Sequence, residues 1–322
     1  MGMIRTFADL HKDDVALAGG KGASLGELSQ IGMPVPPGFV ILASSYEQFL
    51  AERGLQPQIK SILDSLNGDD TDAIQEASKK LCSLILAAEL PRSLTDEIAL
   101  HFTNLNTEYA AVRSSATVED GRTASWAGIL ETYLNATHEQ LLPFIVSCWA
   151  SLFSPRAISY RLETGLRGHR ISVAVVVQKM VNSEVSGTAL SLHPVTNCAD
   201  HAVIEAVYGL GEFLVSGSIT PDTYVINKRT GELVDIHISE QEKGLFCGPE
   251  RGTELMMIEQ TKRGHQKLTS AEILYLTNLV VRVEQSYAVP IDIEWAREGD
   301  RLYILQARPI TGLKETSYEF GI

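Results

Sequence analysis

Pro290-Ile291-Asp292-Ile293-Glu294-Trp295-Ala296 and, a little further on, Leu305-Gln306-Ala307-Arg308-Pro309-Ile310-Thr311 alternate apolar and polar residues as paired strands do. Gly299-Asp300-Arg301 lies between them, so the segment predicts a β-hairpin closed by a three-residue loop. Side chains two apart on a strand share a face, which groups Asp292 with Glu294 and Gln306 with Arg308. With that loop, Glu294 falls opposite Gln306 and Asp292 opposite Arg308. One patch then carries two carboxylates, an amide oxygen and a guanidinium. Carboxylate and amide oxygens suit a hard divalent cation, and a guanidinium is shaped to grip a phosphate. The patch reads as a site for a magnesium-bound nucleotide. An exposed hairpin carrying ordinary charges accounts for the same residues equally well.

Four further segments bear on the choice. Ala18-Gly19-Gly20-Lys21-Gly22-Ala23-Ser24-Leu25-Gly26-Glu27-Leu28 is a glycine-rich turn running into a helix. Its glycines let backbone amides approach phosphate oxygens, the helix start favours anions, and Lys21 adds a point charge. It lacks the spacing and the Lys-Ser/Thr pair of a Walker loop. In Ala111-Val112-Arg113-Ser114-Ser115-Ala116-Thr117 a short apolar strand is expected to deliver Arg113 into a small polar loop, with a second turn at Ser125 to Gly128. Ser172-Val173-Ala174-Val175-Val176-Val177-Gln178-Lys179-Met180 reads as a buried strand whose end can meet a purine edge with backbone groups. The fifth stretch, Glu205 to Gly217 followed by Thr220-Pro221-Asp222-Thr223, is again punctuated by glycine. Singly, each of these is as well explained by a loop, a salt bridge or ordinary core.

In this order, the five segments resemble the ATP-binding domain of the phosphoenolpyruvate synthase and pyruvate phosphate dikinase family, which rifampicin phosphotransferases share. The Arg-Ser-Ser block and the Asp-Ile-Glu-Trp and Leu-Gln-Ala-Arg-Pro blocks are the specific part, and the likeness runs from Gly19 to Thr311. It implies an α+β, two-lobed, ATP-grasp-like fold with the nucleotide between the lobes: residues 1–180, residues 181–314 and a tail at 315–322. It implies ATP and Mg2+ as cofactors. Lys21 and Arg113 would hold the phosphates with Thr132 alongside, and the turn ending at Gly128 would close over them. Gln178 and the backbone at Met180 would meet the adenine. Glu294 and Gln306 would ligate magnesium, Arg308 would contact the transferred phosphoryl group, and Asp292 would either orient Arg308 or touch metal. Lys21, Arg113 and Arg308 are thus the catalytic set. The chain departs from the family pattern at Gly121-Arg122, where a proline is usual, at Ile129 for a glutamine, and at His193 for a frequent acidic residue.

Composition sets limits. A chain of 322 residues can fold two cores. Its 40 acidic and 27 basic residues, net charge −13, argue against general binding of nucleic acid or membrane surfaces. No apolar run reaches transmembrane length, and Met1-Gly2-Met3-Ile4-Arg5-Thr6 has no signal-like core. That start matches a myristoylation pattern formally, without a basic second signal. The 4 cysteines, Cys82, Cys148, Cys198 and Cys247, have no paired spacing, so a cytoplasmic location is expected. Residues 45–104, with a break at Asn67-Gly68, and 138–163 read as helical.

The resemblance also defines what is missing. Family enzymes pass a phosphoryl group through a histidine in a Thr-Ser-His-Ala setting on a swivelling domain. None of the 8 histidines here follows a serine, and with only a short run from Thr311 to Ile322 no such domain is expected within these residues. The expectation is therefore a phosphotransfer subunit or domain, incomplete without a histidine-carrying partner, that releases AMP and phosphate. Alternatives are an excised or regulatory nucleotide-binding module without turnover, or an ATP-grasp ligase that forms an acyl phosphate and ADP.

Overall fold

The computed structural model describes residues 2–68, 70–117, 120–121, 124–125, 129–166, 171–248 and 252–310. Arg122 lies outside those residues, and so do residues 126–128, which make up all of the Ser125-to-Gly128 turn except Ser125. The chain divides into two compact units, and the α+β class expected from the sequence holds in both. The first comprises Met1–Gln30, Pro36–Met180 and Gly248–Thr253; the second comprises Ile31–Val35, Val181–Cys247 and Glu254–Ile322.

In the first unit the elements run β1 (Ile4–Thr6), α1 (Val15–Gln30), β2 (Gly38–Ile41), α2 (Ala43–Glu52), α3 (Gln56–Asp64), α4 (Thr71–Leu86), α5 (Arg92–Asn104) and β3 (Ala110–Ala116). They continue through the two-residue strands β4 (Asp120–Gly121) and β5 (Ala124–Ser125) to β6 (Thr132–Ala136), α6 (His138–Ala150), α7 (Pro155–Glu163) and β7 (Val173–Lys179). Five of the strands make an antiparallel sheet in the order β1-β2-β7-β3-β6. The valine-rich β7 sits at its centre and is buried on both faces, as a continuous apolar run requires. One face packs on the helical layer. There α4 presents Ile74, Ala77, Leu81 and Ile85 at helical spacing, and Trp149 of α6 lies between the rings of Tyr46 and Phe49 at 5.5 and 5.0 Å. The opposite face carries α1, where Gly22 approaches Val40 of β2.

The second unit runs β8 (Val185–Leu190), β9 (His201–Tyr208), α8 (Glu212–Val215), β10 (Asp222–Asn227), β11 (Leu233–His237), β12 (Lys243–Cys247), β13 (Thr253–Met257, its first residue counted with the first unit), α9 (Ser270–Tyr287), β14 (Ile291–Glu298) and β15 (Arg301–Pro309). Six strands form an antiparallel sheet in the order β11-β10-β9-β8-β14-β15. A row of apolar residues crosses it, Ala307, Ile293, Ala189, Ile204 and Tyr224, on the face packed by Ile273, Leu276, Val280 and Val283 of α9. A capping box starts α9, with Thr269 and Glu272 exchanging hydrogen bonds, and Glu272 also pairs with Arg297 of β14 at 2.7 Å. At the start of β10, Asp222 and Lys267 form a fully buried ion pair with Nζ 2.7 Å from Oδ1.

The hairpin loop differs from the three residues expected. Only Gly299-Asp300 lies between the strands, and Gly299 has φ +55°, as a two-residue turn with glycine first allows. Leu305 is then an extra residue on β15, because the register shifts between Glu294 and Trp295. The shorter loop and the bulge offset each other. Glu294 still pairs with Gln306 and Asp292 with Arg308.

Among the described residues no single helix is long and apolar enough to cross a membrane. The bent pair His138–Phe153 with Pro155–Glu163 passes by composition, but its apolar residues Leu141, Ile145, Trp149 and Ile158 belong to the core.

Candidate functional site

The expected site residues fall into two groups, one per unit. Lys21, Arg113, Thr132, Gln178 and Met180 belong to the first, and Glu294, Gln306 and Arg308 to the second.

In the first unit Arg113 is mid-strand in β3 and not at a strand end delivered into a loop. The correction has a simple cause. β3 is hydrogen-bonded on both sides, to β6 and β7, so Arg113-Ser114-Ser115 stays extended despite its polarity. Ser114 turns to the helical layer, where its hydroxyl donates to the Glu131 carbonyl at 2.9 Å. Arg113 and Ser115 therefore point to the α1 face. Thr132 is the register partner of Arg113 on β6, and Val176 is its partner on β7, so Thr132, Arg113 and Gln178 share that face. Lys21 lies on α1, on the same side of the sheet. The glycine stretch runs into a helix as expected: Gly19 (φ +68°, ψ 173°) is a non-helical kink that separates a first short turn of α1 from the longer helix that follows. Gln178 is buried and donates through Nε2 to the Pro36 carbonyl at 3.3 Å. The Met180 backbone N–H, expected to face a purine, donates to the Tyr109 carbonyl at 3.1 Å.

In the second unit Glu294 and Gln306 face each other on neighbouring strands, and the row extends beyond them. Gln306, Glu294, Thr188, Glu205 and Thr223 occupy successive register positions across β15, β14, β8, β9 and β10, on the face away from α9. The Thr188 hydroxyl donates to the Glu205 carboxylate at 2.9 Å. Neither residue was singled out from sequence. A threonine and a glutamate interrupting apolar runs were the available signal. One register step on, Arg308 donates from Nε at 3.0 Å and from a terminal nitrogen at 2.9 Å to one oxygen of Asp292, Oδ2. Its other oxygen, Oδ1, is buried with no hydrogen-bond partner. Burial pushes the Asp292 carboxyl above its ordinary value; Arg308 works against the rise and Glu294 adds to it.

The residues fit a hard cation on one point: beside Glu294, a buried carboxylate oxygen without a hydrogen-bond partner is a donor of the kind such an ion takes. Among the described residues no three His, Cys, Asp or Glu side chains gather for a metal, so any ion here would use mixed carboxylate and amide donors. Outside the row, His193 stands where an acidic residue was expected. Its Nδ1 accepts the backbone N–H groups of Val195 and Thr196 at 3.3 and 3.4 Å, as a carboxylate would in such a turn.

Comparison with known proteins adds to this geometry. Residues 15–319 match the family described as pyruvate phosphate dikinase, AMP/ATP-binding domain. A probable phosphoenolpyruvate synthase of Methanocaldococcus jannaschii is 43% identical over 327 residues, covering 99% of this chain and 27% of its own length. Another from Methanothermobacter thermautotrophicus is 41% identical over 98% of this chain and 47% of its own. A rifampicin phosphotransferase of Bacillus cereus is 39% identical over 96% of this chain and 36% of its own. The chain thus spans less than half the length of each of these relatives. Among solved structures, D-alanyl-alanine synthetase A of Vibrio cholerae O1 biovar eltor is similar over 90% of this chain and 57% of its own at a TM-score of 0.37 and 9% identity, too slight a likeness to carry weight.

Proposed function

Because this chain belongs to the AMP/ATP-binding domain family of pyruvate phosphate dikinase, we propose that it binds MgATP and passes the β-phosphoryl group to a histidine on a separate domain or subunit, with release of AMP and phosphate. The relatives named as synthases and phosphotransferases are more than twice as long, which leaves room in them for the histidine and the final acceptor's site. The observation that carries the reading is the Asp292 carboxylate, bound through Oδ2 to Arg308 and open at buried Oδ1, next in the sheet to Glu294 and Gln306.

Phosphoryl transfer asks a protein mainly for alignment and charge neutralisation. Lys21 and Arg113 would hold phosphate oxygens, with Thr132 beside them and the turn ending at Gly128 above. Gln178 and Met180 would meet the adenine. Arg308, its guanidinium aimed by Asp292, would stabilise the group in transit. Glu294 and Gln306 would hold magnesium, which offsets phosphate charge when bound. The attacking imidazole would come from outside the chain, in the cytoplasm, with no role for nucleic acid or membrane.

The test uses ATP labelled at the β-phosphorus, this chain, and a protein carrying the histidine in a Thr-Ser-His setting. The expected result is AMP, phosphate and a partner labelled in a bond that acid cleaves and base spares. ADP as the sole product, or unaided phosphorylation of a small alcohol, would replace this reading with a ligase or a direct kinase.

A further inference from the structure

In an unbroken helix the Ala18 carbonyl would accept the Gly22 N–H, four residues on. The kink at Gly19 falls within that rung of α1. The Ser115 hydroxyl fills it: Oγ donates to the Ala18 carbonyl at 2.8 Å and accepts the Gly22 N–H at 3.2 Å. A carbonyl only accepts and an amide only donates, so the direction of the hydroxyl proton is fixed. The fit is close on every side. Ser115 is 0% exposed, and a Cβ at position 19 would lie 2.2 Å from both its carbonyl and hydroxyl oxygens, so only glycine fits there. Lys21 occupies the first turn after the bend, one residue before the bridged amide. Arg113 lies two residues before Ser115, on the same face of β3.

We infer that Ser115 is a positioning residue for phosphate binding: it bolts the turn bearing Lys21 to the strand bearing Arg113, so one rigid element sets the spacing of both cations. The inference rests on the proposed reading of Lys21 and Arg113 as phosphate ligands. Without the hydroxyl, Ala18 O and Gly22 N–H both lose this bridge, and bonding to each other would straighten the helix and swing Lys21 away.

Calorimetry on the full chain tests this with MgATP and with adenosine, which has no phosphate, on Ser115→Ala, Lys21→Ala and the double variant. Ser115→Ala is expected to weaken MgATP binding about three- to tenfold and to leave adenosine affinity within about twofold, inside the smallest loss expected for one hydrogen bond. In the Lys21→Ala background it should add no further loss. Equal losses for both ligands, or full additivity with Lys21→Ala, would reduce Ser115 to a structural residue. Unchanged MgATP affinity in Lys21→Ala would overturn the phosphate-ligand reading itself, and this inference with it. Ser115→Cys keeps the side-chain shape at a slightly larger size with only a weak S–H donor, and takes the same measurements if the alanine variant does not fold.

Discussion

Asp222 and Lys267 meet with Nζ 2.7 Å from Oδ1, and neither side chain has any exposed surface. Both carboxylate oxygens are fully used: Ser239 N–H also donates to Oδ1, while Tyr224 OH and the Lys267 N–H donate to Oδ2. The ammonium has a second acceptor in the Ser239 carbonyl at 2.8 Å and lies 5.0 Å from the Tyr208 ring centroid. The pair ties the start of β10 to the loops before β12 and α9.

Removing one partner leaves a buried charge, so Lys267→Met is expected to destabilise the protein by about 3–5 kcal/mol. Adding Asp222→Asn should recover part of that loss, because the uncompensated charge goes with it. Urea denaturation measures both variants. A single variant within about 1 kcal/mol of the parent, the ordinary scale of a point substitution, would mean that water reaches Asp222.

Arg308→Lys keeps the charge and loses the two-donor grip on Asp292 Oδ2. With a histidine-bearing acceptor, phosphoryl transfer should fall about 10²- to 10³-fold, the scale for losing a donor to developing charge. MgATP affinity should change far less. Transfer at the parent rate would show that Arg308 acts only as a point charge.

Glu294→Ala and Gln306→Ala should each raise the magnesium concentration needed for half-maximal transfer, and should affect nucleotide binding without metal much less. The basis is their facing register on β14 and β15. If the magnesium requirement stays the same in both variants, the hairpin serves only the fold.

Glu272 predicts a pH dependence of stability. Burial alone would raise its carboxyl, but the bonds from Arg297 and Thr269 outweigh it and hold the group below 4.5. A carboxyl depressed in the folded state stabilises fully above its unfolded value, and the contribution is lost as pH falls through the folded one. The urea midpoint should therefore drop on acidification below about pH 4.5, and Glu272→Gln should flatten that part of the profile. Parallel curves for the two proteins through this range would contradict the assignment.

Much of the second unit's site is written in local sequence, because strand alternation alone fixes which residues of a hairpin share a face. The pairing of Glu294 with Gln306 was legible even though the loop was not: a residue missing from the turn reappears as the bulge at Leu305. The first unit was less legible. Arg113 looked like the end of a strand because Ser114 and Ser115 are polar, and only their partners explain why the strand continues. Those partners are remote in the chain, Ala18 and Gly22 for Ser115 and the Glu131 carbonyl for Ser114. Asp222 was hidden in the same way, since Lys267 lies far along the chain with nothing local to mark it. The glycine-rich turn before Lys21 was legible as a turn, but not that Gly19 also lets a neighbouring strand approach the helix.

A ribosome delivers this chain from its N-terminus, and neither unit receives its pieces in order. Asn135, in left-handed backbone (φ +54°), donates through its side chain to the Gly248 carbonyl and accepts the Gly252 N–H on its own carbonyl, each at 3.2 Å. The first unit therefore takes two of its hydrogen bonds from a segment made only after β12. Ile31–Val35 has the reverse schedule: the Ile31 and Pro34 carbonyls emerge early and stay unmatched until Arg282 and Ile304 arrive to donate to them. A nascent chain stalled near Lys179 would thus hold an unfinished first unit together with an orphaned piece of the second. The last contacts of both units are made late in synthesis, although every strand of the first unit's sheet has been made once Lys179 is added.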